Sequence, residues 1–426
     1  MNAKPPLLFL AHRLPYPPDK GDKIRSYHWL RHLQNHYRIF LGAFVDDPKD
    51  WAHRETLEAL CAGLHLEPLN PRWAKVRALV ALAGSQPVTL PYYRSRRIKA
   101  WVERVVAQER PTADLAFSGA MSQYLDLQNP QIPYPLRRVV DFVDVDSDKW
   151  RQYGAAKGGP MGWLYRREGR TLLAFERRIA AAADVSTFIS DAEVALFARL
   201  APESPKAVAV ANGVDADYFD PAGDFDPADP FDGAPTAVFV GVMDYWANVD
   251  AVGFFAREVW PLVRRAMPEA QFAIVGAKPA PEVQRLGALA GVTVIGKVPD
   301  VRPYLANARL SVATLRLARG VQNKVLEAMA MALPVLATPQ ALEGIDVASS
   351  LAVATAEDPD DLARRTLDWL RQPVDAAVNR RWIQRHYTWR RCGDALRDLL
   401  VPGATPTAAP HAFPVCQESP REYGLR

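Results

Sequence analysis

The chain has 426 residues, 49% hydrophobic and 23% charged, with a formal net charge of +4. That length favours two domains of ordinary size, and the composition excludes disordered, collagen-like and disulfide-scaffold classes. The mild basic excess does not demand nucleic acid, and no nucleic-acid partner is expected.

Residues 7–11 (LLFLA) read as a first buried strand, too short for the core of a signal peptide. A loop rich in Pro, Asp and Gly follows (LPYPPDKGDK). IRSYHWLRHLQNHY then places Ile24, Tyr27, Leu30 and Leu33 on one helical face. YRIFLGAFV predicts a second strand. HLEPL near 65, DLAFS near 114 and RRVVDFVDV (137–145) predict three more, with helix-period stretches between them. A long helix is predicted over 162–183. VSTFIS (185–190) is a strand, and DAEVALFARL a helix capped by Ser190 or Asp191. AVAVANGVD closes this half. The alternation points to a parallel sheet with helices on both faces.

The run DPAGDFDPADPFDGAP (220–235) reads as a linker. Beyond it TAVFVGVMD, QFAIVGA, VTVIG, RLSVATL and LPVLAT predict strands, and AVGFFAREVWPLVRRAM, VRPYLANA and NKVLEAMAMA predict helices. The fold class is therefore α/β, with Rossmann-like domains over 1–215 and 235–375. Two further helices are predicted up to about residue 400, and a tail over 402–426 that is expected to be poorly ordered. No run of eighteen apolar residues is present, so no membrane span is expected. Cys61, Cys392 and Cys416 stand far apart with no Cys/His cluster, which fits a reduced, cytoplasmic compartment.

The stretch RGVQNKVLEAMAM (319–331) carries the clearest chemical signal. Asn323 opens a helix whose free N–H groups and dipole favour a phosphate. Gly320 permits close backbone approach. Lys324, with Arg316 or Arg319 from the preceding loop, supplies positive charge. Glu327, one turn on, faces the same side and suits a pair of ribose hydroxyls. The same pattern also serves a buried helix. Val325, Leu326, Met329 and Ala330 would be its apolar face, Asn323 its N-cap, and Glu327 a partner for Lys324. Spacing alone leaves both readings open.

GVQNKVLEAMAMALPVLAT resembles the donor-binding signature of group 1 (family 4) glycosyltransferases of GT-B fold. That signature is a glutamate, seven residues, a second glutamate, Ala-Met-Ala, and then Pro-Val. Glu327-Ala328-Met329-Ala330 and Pro334-Val335 match it. The resemblance implies two Rossmann-like domains facing across a cleft, the first for the acceptor and the second for the nucleotide sugar. It also implies that helices at about 376–400 cross back onto the first domain. Glu327 would hold the ribose, and Gly320, Arg319, Asn323 and Lys324 would meet the diphosphate. The first glutamate of the signature falls at Arg319, so the donor sugar stays unnamed. VFVGVMDYWANVDAVGFF (238–255) is similar to the strand, glycine turn and helix that line the family's cleft. Gly241 takes the turn, the basic pair many members carry after it is absent or moved, and Asn248 approximates an asparagine turn found in a subset. VIGKVPDVRPYLANARLSVATL resembles the base-recognition strip, with backbone near Val298 against a nucleobase. Asp300 serves equally as the cap of the next helix.

In the N-terminal half, HRLPYPPDKGDKIRSYHWL stands where the family has a glycine-rich loop. Gly21 is its single glycine, and Lys20, Lys23 and Arg25 make it basic, which suits a diphosphate or simply a solvated loop. SGAMSQYL (118–125) lacks the histidine that many relatives place against the donor sugar. DFVDVDSDKW sets Asp141, Asp144 and Asp146 at a strand end. Asp144 and Asp146 are the candidate bases for an acceptor hydroxyl, or else caps and surface charge. No metal and no bound cofactor are expected. Residues 72–110 interleave Arg72, Lys75, Arg77, Arg94, Arg96, Arg97 and Lys99 with Trp73, Leu79, Leu82, Tyr92, Tyr93 and Trp101. This suits contact with an anionic membrane, within reach of a lipid-linked diphosphate acceptor, or a basic face in water.

Together these stretches look like a subgroup associated with bacterial exopolysaccharide (PEP-CTERM/exosortase-associated) gene clusters. The implied activity moves a sugar from a nucleotide-diphosphate sugar to an acceptor hydroxyl of a glycan, with retention. The setting implied is cell-surface glycan biosynthesis by a cytoplasmic, peripheral-membrane transferase. A nucleotide-sugar epimerase of the same fold and a non-catalytic nucleotide or carbohydrate binder are the alternatives.

Overall fold

The short apolar runs of the sequence become the central strands of two parallel sheets. Leu7 to Ala11 are wholly buried, as a strand covered by helices on both faces requires. The structure, a computed structural model, describes residues 4–18, 21–125, 136–204, 206–226, 228–316 and 320–403. Arg319 and residues 404–426 of the predicted tail lie outside the described residues.

The first sheet contains β1 (Pro6–Ala11), β2 (Arg38–Val45), β3 (Gly63–Pro68), β4 (Ala113–Phe117), β5 (Arg137–Val143), β6 (Val185–Phe188) and β7 (Ala207–Ala209). Its order is β3-β2-β1-β4-β5-β6-β7, every pair parallel. Its helices are α1 (Gly21–Leu33), α2 (Arg54–Glu58), α3 (Pro71–Val80), α4 (Thr89–Tyr92), α5 (Arg96–Glu109), α6 (Asp146–Ala156), α7 (Gly159–Ala182) and α8 (Asp191–Leu200). The second sheet contains β8 (Thr236–Val240), β9 (Gln271–Val275), β10 (Val292–Gly296), β11 (Leu310–Ala313), β12 (Val335–Ala337) and β13 (Val353–Thr355), in the order β10-β9-β8-β11-β12-β13. With it go α9 (Trp246–Phe254), α10 (Trp260–Ala266), α11 (Pro281–Gln284), α12 (Arg302–Asn307), α13 (Asn323–Ala330), α14 (Pro359–Arg371), α15 (Ala377–His386) and α16 (Trp389–Leu399).

In both sheets the strand order reverses beside the first strand, between β1 and β4 and between β8 and β11. Connections diverge at such a point and leave a crevice at the carboxyl ends of the strands, where ligands of open α/β sheets gather.

The structure departs from the sequence reading in four elements. α1 starts at Gly21, so Lys23 and Arg25, assigned to the loop, are helical, and Lys20 lies outside the described residues. The strand before Asp144 stops at Val143, and Asp146 opens α6. β13 was not predicted. The last predicted helix divides at Tyr387, because the Thr388 hydroxyl caps α16. That break decides which helix crosses back. Ile383 and Tyr387 belong to the second core. Trp389, Cys392, Leu396 and Leu399 of α16 join the first. His28 of α1 stacks on Trp389 at 4.2 Å. The crossing is made by α16, not by both helices.

Candidate functional site

The carboxyl edge of the second sheet is built around two glycines. Gly276, after β9, has φ +151°, and a Cβ there would lie 1.6 Å from the Gly241 carbonyl oxygen, so the turns after β8 and β9 touch backbone to backbone. A Cβ on Gly241 would meet the Asn248 amide at 2.8 Å and Lys324 Nζ at 3.4 Å. Asn248, in the first turn of α9, is 6% exposed. Its Nδ2 donates to the Val242 carbonyl at 2.8 Å, and its Oδ1 accepts from Lys324 Nζ. Gly241, Asn248, Lys324 and Glu327 therefore come together at this edge.

Lys324 and Glu327 are one turn apart on α13, the helix that follows β11, which borders the reversal point. Lys324 Nζ also lies 4.5 Å from the Phe239 ring centroid. Burial pushes the Lys324 ammonium well below the usual lysine range, partly opposed by Glu327. Burial pushes the Glu327 carboxyl up, partly opposed by Lys324. Burial thus disfavours the charged form of both groups, and ionisable pairs perturbed in this way gather at functional sites. Gln322, not Asn323, occupies the N-cap of α13, and its side chain makes no cap bond. The first-turn N–H groups of α13 are therefore not capped by the Gln322 side chain.

Gly320 (φ +66°) carries the loop into α13. A Cβ there would come within 3.3 Å of Asp144 Oδ1 in the first domain, so the two strand edges meet at this glycine. Asp144 Oδ2 accepts from Lys149 Nζ at 2.7 Å, and the same ammonium reaches Asp146 at 3.1 Å. Burial works against the Lys149 charge, but Asp146 and Asp144 outweigh it and raise its pKa. Asp144 faces the opposite strand edge at Gly320, whereas Asp146 opens α6 with 43% of its side chain exposed. A tight turn aims Asp144. Val143 has φ +69°, and the Asp144 N–H donates to the Phe142 carbonyl two residues back at 2.9 Å. A β-branched residue with positive φ is strained, and strain of this kind gathers at functional sites. Sequence gives no signal for it.

The basic loop residues are corrected. Lys23 is 1% exposed and donates to Asp50 at 2.6 Å. Arg25 is also 1% exposed and grips Asp141 with two nitrogens, at 2.9 and 3.1 Å. Asp141 further accepts from Trp29 Nε1 at 3.0 Å. Their helical placement turns them inward, so neither faces the cleft, and Asp141 is a structural partner rather than a base. Arg25 does reach the site indirectly. Its Nη1 donates to Asn212 Oδ1 at 2.9 Å, and Asn212 Nδ2 donates to Asn323 Oδ1 at 3.3 Å. Asn212, in the run AVAVANGVD that closes the first half, carries no sequence motif that singles it out. Gly21 opens α1 with open space about it. At the end of β1, Asp22 accepts from His12 (3.2 Å) and Arg13 (2.8 Å). Burial would raise its carboxyl, but those two groups hold it well below the usual range.

Val298, in the loop after β10, packs partly buried against the second core. Asp300 accepts the Arg302 backbone N–H at 2.9 Å and its guanidinium at 2.7 Å, but the N-cap of α12 is Val301, not Asp300. Arg316 pairs with Asp250 of α9. Among the described residues, His32, His36 and Asp394 are grouped tightly enough for a metal ion. They sit where α1 meets α16, with the Arg397 guanidinium 2.7 Å from Asp394.

Residues 234–372 match the family of group 1 glycosyl transferases. The second domain is accordingly a group 1 glycosyl transferase domain, and it marks the chain as a transferase of glycosyl groups. No curated protein sequence matches the chain. Among solved structures the chain is similar to sucrose-phosphate synthase from Thermosynechococcus elongatus, with TM-score 0.65 and 15% identity over 93% of this chain and 98% of that one. It is similar to HepE of Anabaena in complex with UDP and glucose, with TM-score 0.64 and 14% identity over 93% and 99%. It is also similar to WaaG, a glycosyltransferase involved in lipopolysaccharide biosynthesis, with TM-score 0.59 and 17% identity over 93% and 100%. These likenesses establish the GT-B fold.

Proposed function

We propose that this enzyme moves a glycosyl group from a nucleoside-diphosphate sugar, held on the second sheet, to an acceptor hydroxyl held on the first. The observation that carries the reading is the convergence of Lys324, Asn248, Glu327 and the Gly241–Gly276 turns at the β8/β11 reversal, opposite Asp144. Lys324 and the α13 N-terminus stabilise the diphosphate charge that grows as the glycosidic bond breaks. Glu327 holds the ribose hydroxyls. Asp144 takes the proton of the acceptor hydroxyl, steadied by Lys149 until substrate enters. Gly320 lets the two edges close and exclude water, which limits hydrolysis. The cationic charge is supplied by the Lys324 side chain and the helix end.

Retention of configuration and a role in exopolysaccharide or other cell-surface glycan synthesis are supported by the resemblance of the Glu327 stretch to group 1 enzymes. HepE is described with UDP and glucose, and WaaG with lipopolysaccharide biosynthesis. Among the described residues no helix is long and apolar enough to cross a membrane. α3 exposes Trp73 (69%), Val76 (51%) and Leu79 (56%) beside Arg72 and Lys75, which supports peripheral contact with an anionic inner leaflet. Co-sedimentation with anionic but not neutral vesicles is the check on that contact.

The transferase reading is tested by incubating the enzyme with UDP- and GDP-sugars, with and without lipid-linked saccharides. Release of nucleoside diphosphate that depends on acceptor is expected. Rapid epimerisation of the sugar without any acceptor would overturn it in favour of an epimerase.

A further inference from the structure

Two cavities, of about 500 Å³ and about 710 Å³, open on the first domain where α3, α4, α5 and α7 meet. They share Gln86, Arg94, Ser95 and Arg96, so they form one groove. Its floor is apolar, with Leu90, Phe175 and Ile179 under one part and Pro91 under the other. Its rim is basic. Arg94 and Arg96 stand on the shared wall, Arg77 and Arg97 at one end, Lys99 and Arg178 at the other, against a single carboxylate, Glu67. Arg94 donates to the neutral Gln86 side chain at 3.0 Å. Among the described residues Arg94, Arg96 and Arg178 have no ion-pair partner.

The groove is preformed. Buried Glu168 of α7 accepts from the Val88 N–H (2.7 Å), the Thr89 N–H (3.0 Å) and the Thr89 hydroxyl (2.7 Å), which fixes the start of α4. Arg167 donates to the carbonyls of Ala81 (2.9 Å) and Gln86 (3.2 Å), which fixes the segment before it. A wall held this way loses little entropy when a ligand enters.

Its position relates it to the cleft on one side and to the exposed α3 face on the other. Ser122 and Gln123 of its wall belong to the turn that follows β4, at the carboxyl edge of the first sheet. Tyr93, next to Arg94, packs edge-on against His12 at 5.8 Å, just past β1. The exposed apolar residues of α3 belong to the same helix as Arg77 of the rim.

An apolar floor under unpaired guanidinium groups complements an amphiphile with a phosphate head. Guanidinium forks bind phosphate oxygens in pairs, and the floor removes an apolar chain from water. A soluble sugar phosphate would leave the floor bare. We propose that this groove binds the diphosphate and first isoprenoid units of a lipid-linked acceptor, and so presents its saccharide end to the cleft. The proposal rests on the transferase reading and names the class of acceptor for it.

The test titrates farnesyl diphosphate into the full-length protein with the donor site filled by saturating UDP, beside inorganic diphosphate and farnesol. Saturable binding is expected, roughly tenfold or more tighter than for either fragment. In an Arg94→Ala/Arg178→Ala variant this affinity should fall by roughly tenfold or more, while UDP affinity and Tm stay unchanged. Absence of saturable binding, equal binding of inorganic diphosphate, or binding that the double variant leaves intact would each overturn the proposal. So would equal retention of both proteins on anionic phospholipid vesicles without farnesyl diphosphate binding, since that describes a general membrane surface. Loss of UDP binding alone would instead overturn the donor-site reading, which is measured separately.

Discussion

At the scale of single residues, the same side-chain type takes opposite roles according to what faces it. Lys324 is held against Asn248 and Phe239 at a strand edge, where a diphosphate can replace its missing solvation. Lys324→Met is expected to weaken UDP binding by roughly 1.5–3 kcal/mol, the value of a charge-assisted contact, and to leave uridine affinity unchanged. Calorimetric titration of both ligands checks it. Arg25 is instead bound to Asp141 and Asn212 in the core. Arg25→Met leaves the Asp141 carboxylate buried without its cation, so a loss of about 3–5 kcal/mol in unfolding free energy is expected. Denaturant unfolding measures it, and a loss below about 1 kcal/mol would contradict the buried pair. The sequence could not separate these two cations. Their partners stand 76, 116 and 187 positions away. A basic residue after a glycine looks the same whether the helix turns it in or out. Glu327, Asn248 and Gly241 were legible because each lies inside a local pattern.

At the scale of elements, strands were legible where apolar runs were bounded by turn residues. β13, three residues long, falls below what periodicity can detect. The α15/α16 break was hidden because Thr388 caps a helix within a continuous amphipathic stretch. β4 carries one position at odds with its apolar run. Asp114 is 3% exposed, and among the described residues its Oδ1 has no hydrogen-bond partner. Burial pushes its carboxyl up to about 7, with Arg138 opposing. A raised folded pKa means that its contribution is fully present below the unfolded value and is lost as pH rises through about 7. Asp114→Asn should therefore raise Tm more at pH 8 than at pH 5, by an amount equivalent to roughly 1–4 kcal/mol. Equal shifts at both pH values would show that Asp114 does not carry this penalty. Gly320→Ala, at φ +66° and against Asp144, is expected to cost about 1–2 kcal/mol in backbone strain and to reduce transfer activity more than UDP affinity.

At the scale of the whole molecule, two sheets of matching strand order present their carboxyl edges to one another. α16 packs on the first core while its neighbour α15 stays on the second. The chain Arg25–Asn212–Asn323 runs from the buried first core to the first residue of α13, and so ties the first domain to the helix assigned to the donor. The central claim is that this helix holds a nucleoside diphosphate through Glu327. Calorimetric titration of UDP and GDP into the native protein and a folded Glu327→Ala variant tests it directly. The account predicts binding of one nucleotide by the native protein and a loss of roughly 1–3 kcal/mol in the variant. Unchanged affinity in the folded variant, or no binding of either nucleotide by the native protein, would contradict it.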